Sequence, residues 1–199
     1  LKDRIVITYP DDETKSNDAV LLEAAVEEWQ KKCARWYQYT YEQHYANVDP
    51  ILVVQVCKGT GGALSDTDLD DVLARIEQKC GAAFKRGEVV HCFGEAGNVE
   101  INGLAVPHVN ASDIADDHRI RVVLFKEALS TGWDFPRAET MMSFAAKKDP
   151  TYIAQLLGRM VRTPLQCRVQ RDEFLNDVKL YLPHFDKDNV KAVIDELQS

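Results

Sequence analysis

Two runs of the chain, Ile51-Leu52-Val53-Val54-Gln55-Val56-Cys57 and Ile120-Arg121-Val122-Val123-Leu124-Phe125, are apolar almost without interruption. A strand facing water on one side alternates polar with apolar residues; one that does not alternate must be covered on both faces. Shorter runs, Ile5-Val6-Ile7-Thr8-Tyr9, Val89-Val90-His91-Cys92-Phe93 and Thr140-Met141-Met142-Ser143-Phe144, read as further strands. Between them lie segments whose apolar residues recur every three or four positions, the period of an amphipathic helix. Strands alternating with helices in this way point to an α/β fold with a largely parallel sheet and helices on both faces. At 199 residues one domain is the expectation.

The helical segments carry their own punctuation. Leu22, Val26, Trp29, Cys33 and Trp36 place a long helix from about Ser16, capped among Ser16, Asn17 and Asp18. Ser65 with Asp68 reads as a capping box opening a helix with the stripe Leu69, Val72, Leu73, Ile76 and Cys80, which Gly81 stops. Asp149-Pro150 opens a helix through about Arg162, and residues 171–181 and 187–197 read as two more helices. The stretch 94–118 is turn-rich, with room for one short strand. The expected organisation is an N-terminal strand and long helix over 1–48, a central domain over 49–165 and a helical extension over 166–199.

The helix after Pro150 has two unlike faces. At 100° per residue, Gln155, Gly158, Arg159 and Arg162 fall within about 100° of one another, with Ile153, Leu156, Leu157, Met160 and Val161 opposite. One face packs. The other offers an amide, a glycine and two guanidinium groups, and arginine rather than lysine on an otherwise uncharged face suits bidentate recognition of phosphate. Just beyond the strand at 120–125 come Lys126-Glu127-Ala128-Leu129-Ser130-Thr131-Gly132-Trp133-Asp134-Phe135-Pro136, so a glycine and a carboxylate follow the carboxyl end of a buried strand, where ligands of open α/β sheets bind.

These two segments resemble motifs V and VI of superfamily 2 helicases. Ala128 to Pro136 is similar to the G-x-D-x-P motif V, and Gln155-Leu156-Leu157-Gly158-Arg159-Met160-Val161-Arg162 to the Q-x-x-G-R-x-x-R motif VI, in the right order. The Gly-Trp-Asp wording, with the strand at 51–57 in the place of motif IV, looks most like the type III restriction enzyme helicase subunits and related DEAD/DEAH-box proteins. The resemblance covers about 50–165. It implies a RecA-like three-layer sandwich that forms the second of two motor lobes, with ATP in the cleft between lobes and nucleic acid, DNA in preference to RNA, across both. Arg162 would be the arginine finger, Arg159 its neighbour at the same phosphates, and Gln155 the coupler of nucleotide state to lobe closure. Gly132 and Gly158 would permit close approach, and Asp134 would meet the ribose or orient an arginine. The sequence departs from the family at Glu127, where many relatives have a Thr-Asp pair on the nucleic-acid backbone, and at Thr131, where an arginine is common.

A phosphate-cradling loop needs Gly-Lys-Ser/Thr, and the chain has no Gly-Lys dipeptide. Lys58-Gly59-Thr60-Gly61-Gly62 reads as a turn, and no Asp-Glu pair follows an apolar strand. Magnesium would therefore be held by the first lobe, no cofactor is expected on these residues alone, and the start at Leu1 suggests a piece of a longer protein. Such a piece should not hydrolyse ATP by itself.

Other patterns point elsewhere. The net charge of −8 argues against a free-standing nucleic-acid binder. Five widely spaced cysteines without a CxxC suit reduced thiols. Asp66, Asp68, Asp70 and Glu77 have calcium-loop spacing, but Asp71 stands where that loop needs glycine. Pro10-Asp11 and Glu13-Thr14-Lys15 echo a nuclease signature with halves too close for separate strands, and the five histidines show no metal or triad spacing. Asn110-Ala111-Ser112 is a glycosylation sequon without secretory context. No run is long enough to cross a membrane and no signal peptide opens the chain, so a cytoplasmic location is expected. Aromatic Trp29, Trp36, Tyr37, Tyr39, Tyr41 and Tyr45 favour core or a lobe interface over base stacking. With the C-terminal helices they leave open a partner-protein surface, and with it a second reading: a non-catalytic interaction module that retains a RecA-like fold. An RNA helicase lobe is a third.

Overall fold

A computed structural model describes residues 2, 4–8, 18–94, 97–127, 136–161 and 168–199. Strand β1 (Arg4–Thr8) leads to helix α1 (Asp18–Glu42) and strand β2 (Ile51–Gln55), then α2 (Leu69–Cys80) and β3 (Val89–His91). A hairpin of β4 (Val99–Ile101) and β5 (Leu104–Val106) precedes β6 (Val122–Phe125) and β7 (Ala138–Ser143). Helix α3 (Pro150–Met160), strand β8 (Asp177–Tyr181) and helix α4 (Lys187–Leu197) complete it. Six strands form one sheet in the order β1-β8-β7-β2-β6-β3, every neighbouring pair parallel.

The architecture is the RecA-like α/β three-layer sandwich. Every residue of β2, β6 and β7 is buried, because alternate side chains enter two separate cores. Leu52 and Val54 join Val122 and Leu124 under α1, α2 and the hairpin, while Ile51 and Val53 join Val123 and Phe125 under α3 and α4. This parity sends Gln55 to the α3 side. Among the described residues no helix is long and apolar enough to cross a membrane, and Cys33, Cys57, Cys80 and Cys92 carry free thiols.

Four readings need correction. Residues 171–181 are not a helix: Glu173–Asn176 form one 3-10 turn and Asp177–Tyr181 are strand β8, inserted between β1 and β7. The expected extension over 166–199 therefore supplies a strand as well as a helix, and β1 pairs with it. Helix α2 is capped by Asp68, which accepts from Asp71 N, whereas the Ser65 hydroxyl donates to Cys57 O and steadies the preceding turn. Helix α3 ends at Met160, short of Arg162, which lies outside the described residues. The stretch 94–118 holds a two-stranded hairpin instead of one short strand. The nuclease-like residues 10–15 also lie outside the described residues.

Near the start of β7 a buried carboxylate ties both ends of the chain to the centre. Glu139 forms ion pairs with Lys2 and, at 3.8 Å, with Lys32 of α1, and accepts from the Trp36 indole. Lys32 also donates to the carbonyls of Phe174 and, at 2.7 Å, Asp177, so α1 is bound to β8 as well. Both lysines are buried, and desolvation pushes the Lys32 ammonium down to about 8. Removing one partner of such a cluster leaves unpaired charge in the interior. Glu139→Ala is expected to cost about 3–5 kcal/mol of unfolding free energy in urea titrations, and a loss below ~1 kcal/mol would contradict the packing described. The Lys32 penalty is fully present below its folded-state value, where both folded and unfolded chains hold the proton. Above about 8 the folded chain releases that proton first, so stability relative to Lys32→Met should rise with pH from neutrality towards the unfolded value of 10.5; a flat difference between pH 7 and 10 would contradict this.

Candidate functional site

The carboxyl ends of β2, β6 and β7 lie side by side, and β6 and β7, consecutive along the chain among the sheet strands, straddle β2. Ligands of parallel sheets gather at such an edge, where a crevice opens between loops leaving in different directions. The side chain that organises it is Gln55, the last residue of β2, fully buried at the end of an apolar strand. A buried amide must find partners for two N–H bonds and a carbonyl. Gln55 Nε2 donates to Lys126 O at 2.7 Å and to Tyr152 Oη at 2.8 Å, and its Oε1 accepts from Ser143 Oγ at 2.7 Å. One amide thus joins the ends of β2, β6 and β7 to the first turn of α3. Burial pushes the Tyr152 phenol up to about 12, so it remains a neutral hydrogen-bonding group.

Helix α3 is placed by its sequence. Asp149 accepts from Thr151 N at 3.0 Å, Pro150 fills the first turn, and Ile153, Leu156, Leu157 and Met160 bury one face. Gln155 is exposed on the opposite face, with Gly158 and Arg159 half-buried beside it. A Cβ added at Gly158 would meet nothing within 4 Å. Packing within the described residues therefore does not demand this glycine. Of the sequence-predicted site residues the structure brings together Gln155, Gly158 and Arg159; Gly132, Asp134 and Arg162 lie outside the described residues.

Both flanks of the segment 128–135 are pinned. On the β6 side, Glu127 accepts from Lys147 at 2.6 Å and pairs with Lys58 at 2.8 Å, and these two cations hold its carboxyl below the usual range. Next to it Lys126 lies 4.8 Å from the Phe93 ring centroid. On the β7 side, Arg137 is buried and donates to the carbonyls of Asp49, Ile114, Ala115, Asp117 and Ile120. Lys58, Gly59, Gly94, Lys126 and Glu127 border a cavity of about 410 Å³. Gly59 is required there, because a Cβ would sit 1.6 Å from Ala63 O.

His91, on β3 behind this edge, has both ring nitrogens committed: Nδ1 accepts from Phe93 N at 3.1 Å and Nε2 bonds Gly97 O at 2.8 Å. The carbonyl can only accept, so Nε2 carries the proton and the imidazole props the following turn. Among the described residues no group of three or more His, Cys, Asp or Glu is arranged to hold a metal ion. The calcium-like acids have other uses, with Asp68 as a cap, Asp70 accepting from Asn102 N, and Glu77 from Phe84 N.

Sequence reasoning missed Gln55, Tyr152, Ser143, Lys147 and Arg137. Only Gln55 left a signal, as the single amide in an apolar run. No protein-family model, no curated protein and no solved structure matches the chain.

The junction can be tested by deletion. Gln55→Leu takes one partner from each of the Tyr152 and Ser143 hydroxyls and leaves Lys126 O without its side-chain donor, and is expected to cost about 1–3 kcal/mol, whereas Tyr152→Phe removes the 2.8 Å bond from Gln55 and a 3.4 Å bond to Glu127 O and should cost about 1 kcal/mol. Equal, negligible losses in chemical denaturation would contradict the junction.

Proposed function

We propose that the chain is the second motor lobe of an ATP-dependent superfamily 2 helicase or translocase acting on DNA, of the restriction or defence type. One observation carries the reading: Gln155, Gly158 and Arg159 share one face of α3, a helix of a RecA-like lobe that starts at the carboxyl edge of the sheet and runs back to the strand starts, where Val161 O accepts from Lys2 N. The same spacing continued adds Arg162, and the adjoining loop after β6 has the G-x-D-x-P wording.

The division of work follows from what the residues can and cannot do. The chain has no Gly-Lys-Ser/Thr loop, so ATP and its Mg²⁺ would be held by a partner lobe of the same protein and approached from this side by arginines. The guanidinium groups of Arg159, on α3, and of Arg162, beyond its end, would face the transferring phosphoryl group and stabilise the charge spreading over its oxygens, an effect of about 10³–10⁵ in rate. Gln155, one turn earlier, would sense closure of the two lobes. The Gln55 amide links α3 to Lys126 O, so movement of the helix is felt where the motif V-like segment begins. A net charge of −8 is compatible with this role, because a motor lobe needs a few placed cations at one edge.

A second reading, a non-catalytic interaction module, draws on exposed Tyr37, Tyr41 and Tyr45 at the far end of α1. The two separate in one assay. In the full-length protein, Arg159→Ala and Arg162→Ala should each lower nucleic-acid-stimulated ATP hydrolysis by about 10³ or more while leaving the circular dichroism spectrum unchanged. Near-normal turnover in both variants would overturn the motor assignment.

A further inference from the structure

The second half of α1 carries two stripes. One packs on the lobe through Trp29, Lys32, Trp36 and Thr40. The other faces outward and consists of Ala34, Tyr37, Gln38 and Tyr41, all exposed, which at 100° per residue fall within about 100° of one another. Earlier on the same side the exposed residues are charged, Glu27 and Lys31, as a solvated helix face requires. Here they are aromatic: Tyr37 is 60% and Tyr41 73% exposed, their rings stacked at 6.4 Å with planes 16° apart, and Tyr45, 53% exposed, follows just beyond the helix. Tyrosine without lysine is the composition of an interface core. Charge is gathered on one flank of the stripe, where Lys31, Arg35 and Glu42 fall within about 40° of one another, the cations first and the carboxylate last. Among the described residues Glu42 accepts from Gln38 Nε2 at 3.2 Å and pairs with no cation, while Lys31 is held by a long 3.9 Å pair with Glu27.

We propose that this stripe is the contact between two copies of the chain, their α1 helices antiparallel about a two-fold axis. The order of charges selects that arrangement. An antiparallel pair brings the charged flanks together with the basic start of each against the acidic end of the other, whereas a parallel pair keeps the two flanks on opposite sides of the seam. Side-chain size fits the same register. With Ala34 of one copy level with Tyr41 of the other, a small residue faces a large one at both ends, and the two Tyr37 rings meet near the axis. Glu42 then lies level with the interval between Lys31 and Arg35 of the second copy. Arg35 keeps Asp172, 2.6 Å away, so Lys31 is the cation that turns to meet it. The stripe is about two turns long, which leaves the contact below the ~1,200 Å² of a stable complex, so the dimer is weak and reversible. Helix α1 covers the face of the sheet opposite α3, and the contact stands apart from the motor reading.

Sedimentation velocity of the 199-residue chain from about 1 µM to about 1 mM tests the pairing. The weight-average mass should rise with concentration towards that of a dimer. Tyr41→Asp, at an exposed position, should raise the dissociation constant by about tenfold or more with an unchanged circular dichroism spectrum. Lys31→Glu and Glu42→Lys alone should each raise it by about threefold to tenfold, and the double variant Lys31→Glu/Glu42→Lys should restore it. Restoration marks the two-fold register, because no other self-contact needs those two positions to face each other. A chain that stays monomeric throughout, or one whose association Tyr41→Asp leaves unchanged, would overturn the proposal; so would a double variant that associates no better than its parents.

Discussion

A buried amide with two N–H groups and a carbonyl to satisfy sits at the centre of the sheet's carboxyl edge. Strand β2 is covered on both faces, so its side chains divide by parity between two cores, and Gln55 must point to the side where α3 packs. An unpaired amide there would cost about 1–3 kcal/mol for each group left without a partner. The fold meets that demand with Lys126 O, Tyr152 Oη and Ser143 Oγ. One strand end thereby ties the residue after β6 to the first turn of α3.

The two edges of the sheet do different work. Towards the strand starts, Glu139, Lys2, Lys32 and Trp36 form a closed cluster, and Arg137 gathers backbone carbonyls from the 114–120 stretch. These groups face inward and lock the terminal segments and the excursion to the central strands. Among the described residues at the carboxyl ends, Glu127 bridges exposed Lys58 and largely buried Lys147, and Gly59 makes a tight turn. A rigid base under an open, charged edge is what a site requires if its side chains are to be held in place while a ligand comes and goes.

Local pattern made most of the elements legible. Unbroken apolar runs marked β2 and β6, the Asp-Pro opening marked α3, and Gly81 in its left-handed conformation ended α2. Strand β8 was misread for a physical reason. Phe174, Leu175, Val178, Tyr181 and Leu182 fit a helical spacing, yet Val178, Leu180 and Leu182 also alternate, and the place between β1 and β7 decided for the strand. The cap at Asp68 and the turn at Ser65 exchanged roles because both residue types serve either purpose. The Glu139 cluster and the Lys58–Glu127–Lys147 bridge were invisible, since their members lie far apart along the chain and meet only through the sheet order. Gln155, Gly158 and Arg159 were legible because one helix carries all of them.

In the proposed motor this lobe is one wall of an active site, with Arg159 and Arg162 presented to the nucleotide. The most direct test is the structure of the full-length protein with ADP, Mg²⁺ and aluminium fluoride. The prediction is that the guanidinium groups of Arg159 and Arg162 reach hydrogen-bonding distance, about 2.7–3.0 Å, from the nucleotide phosphates and the fluoride, with Gln155 at the lobe interface. A nucleotide bound elsewhere, with the Gln155 and Arg159 face of α3 turned to solvent or to another protein segment, would contradict it.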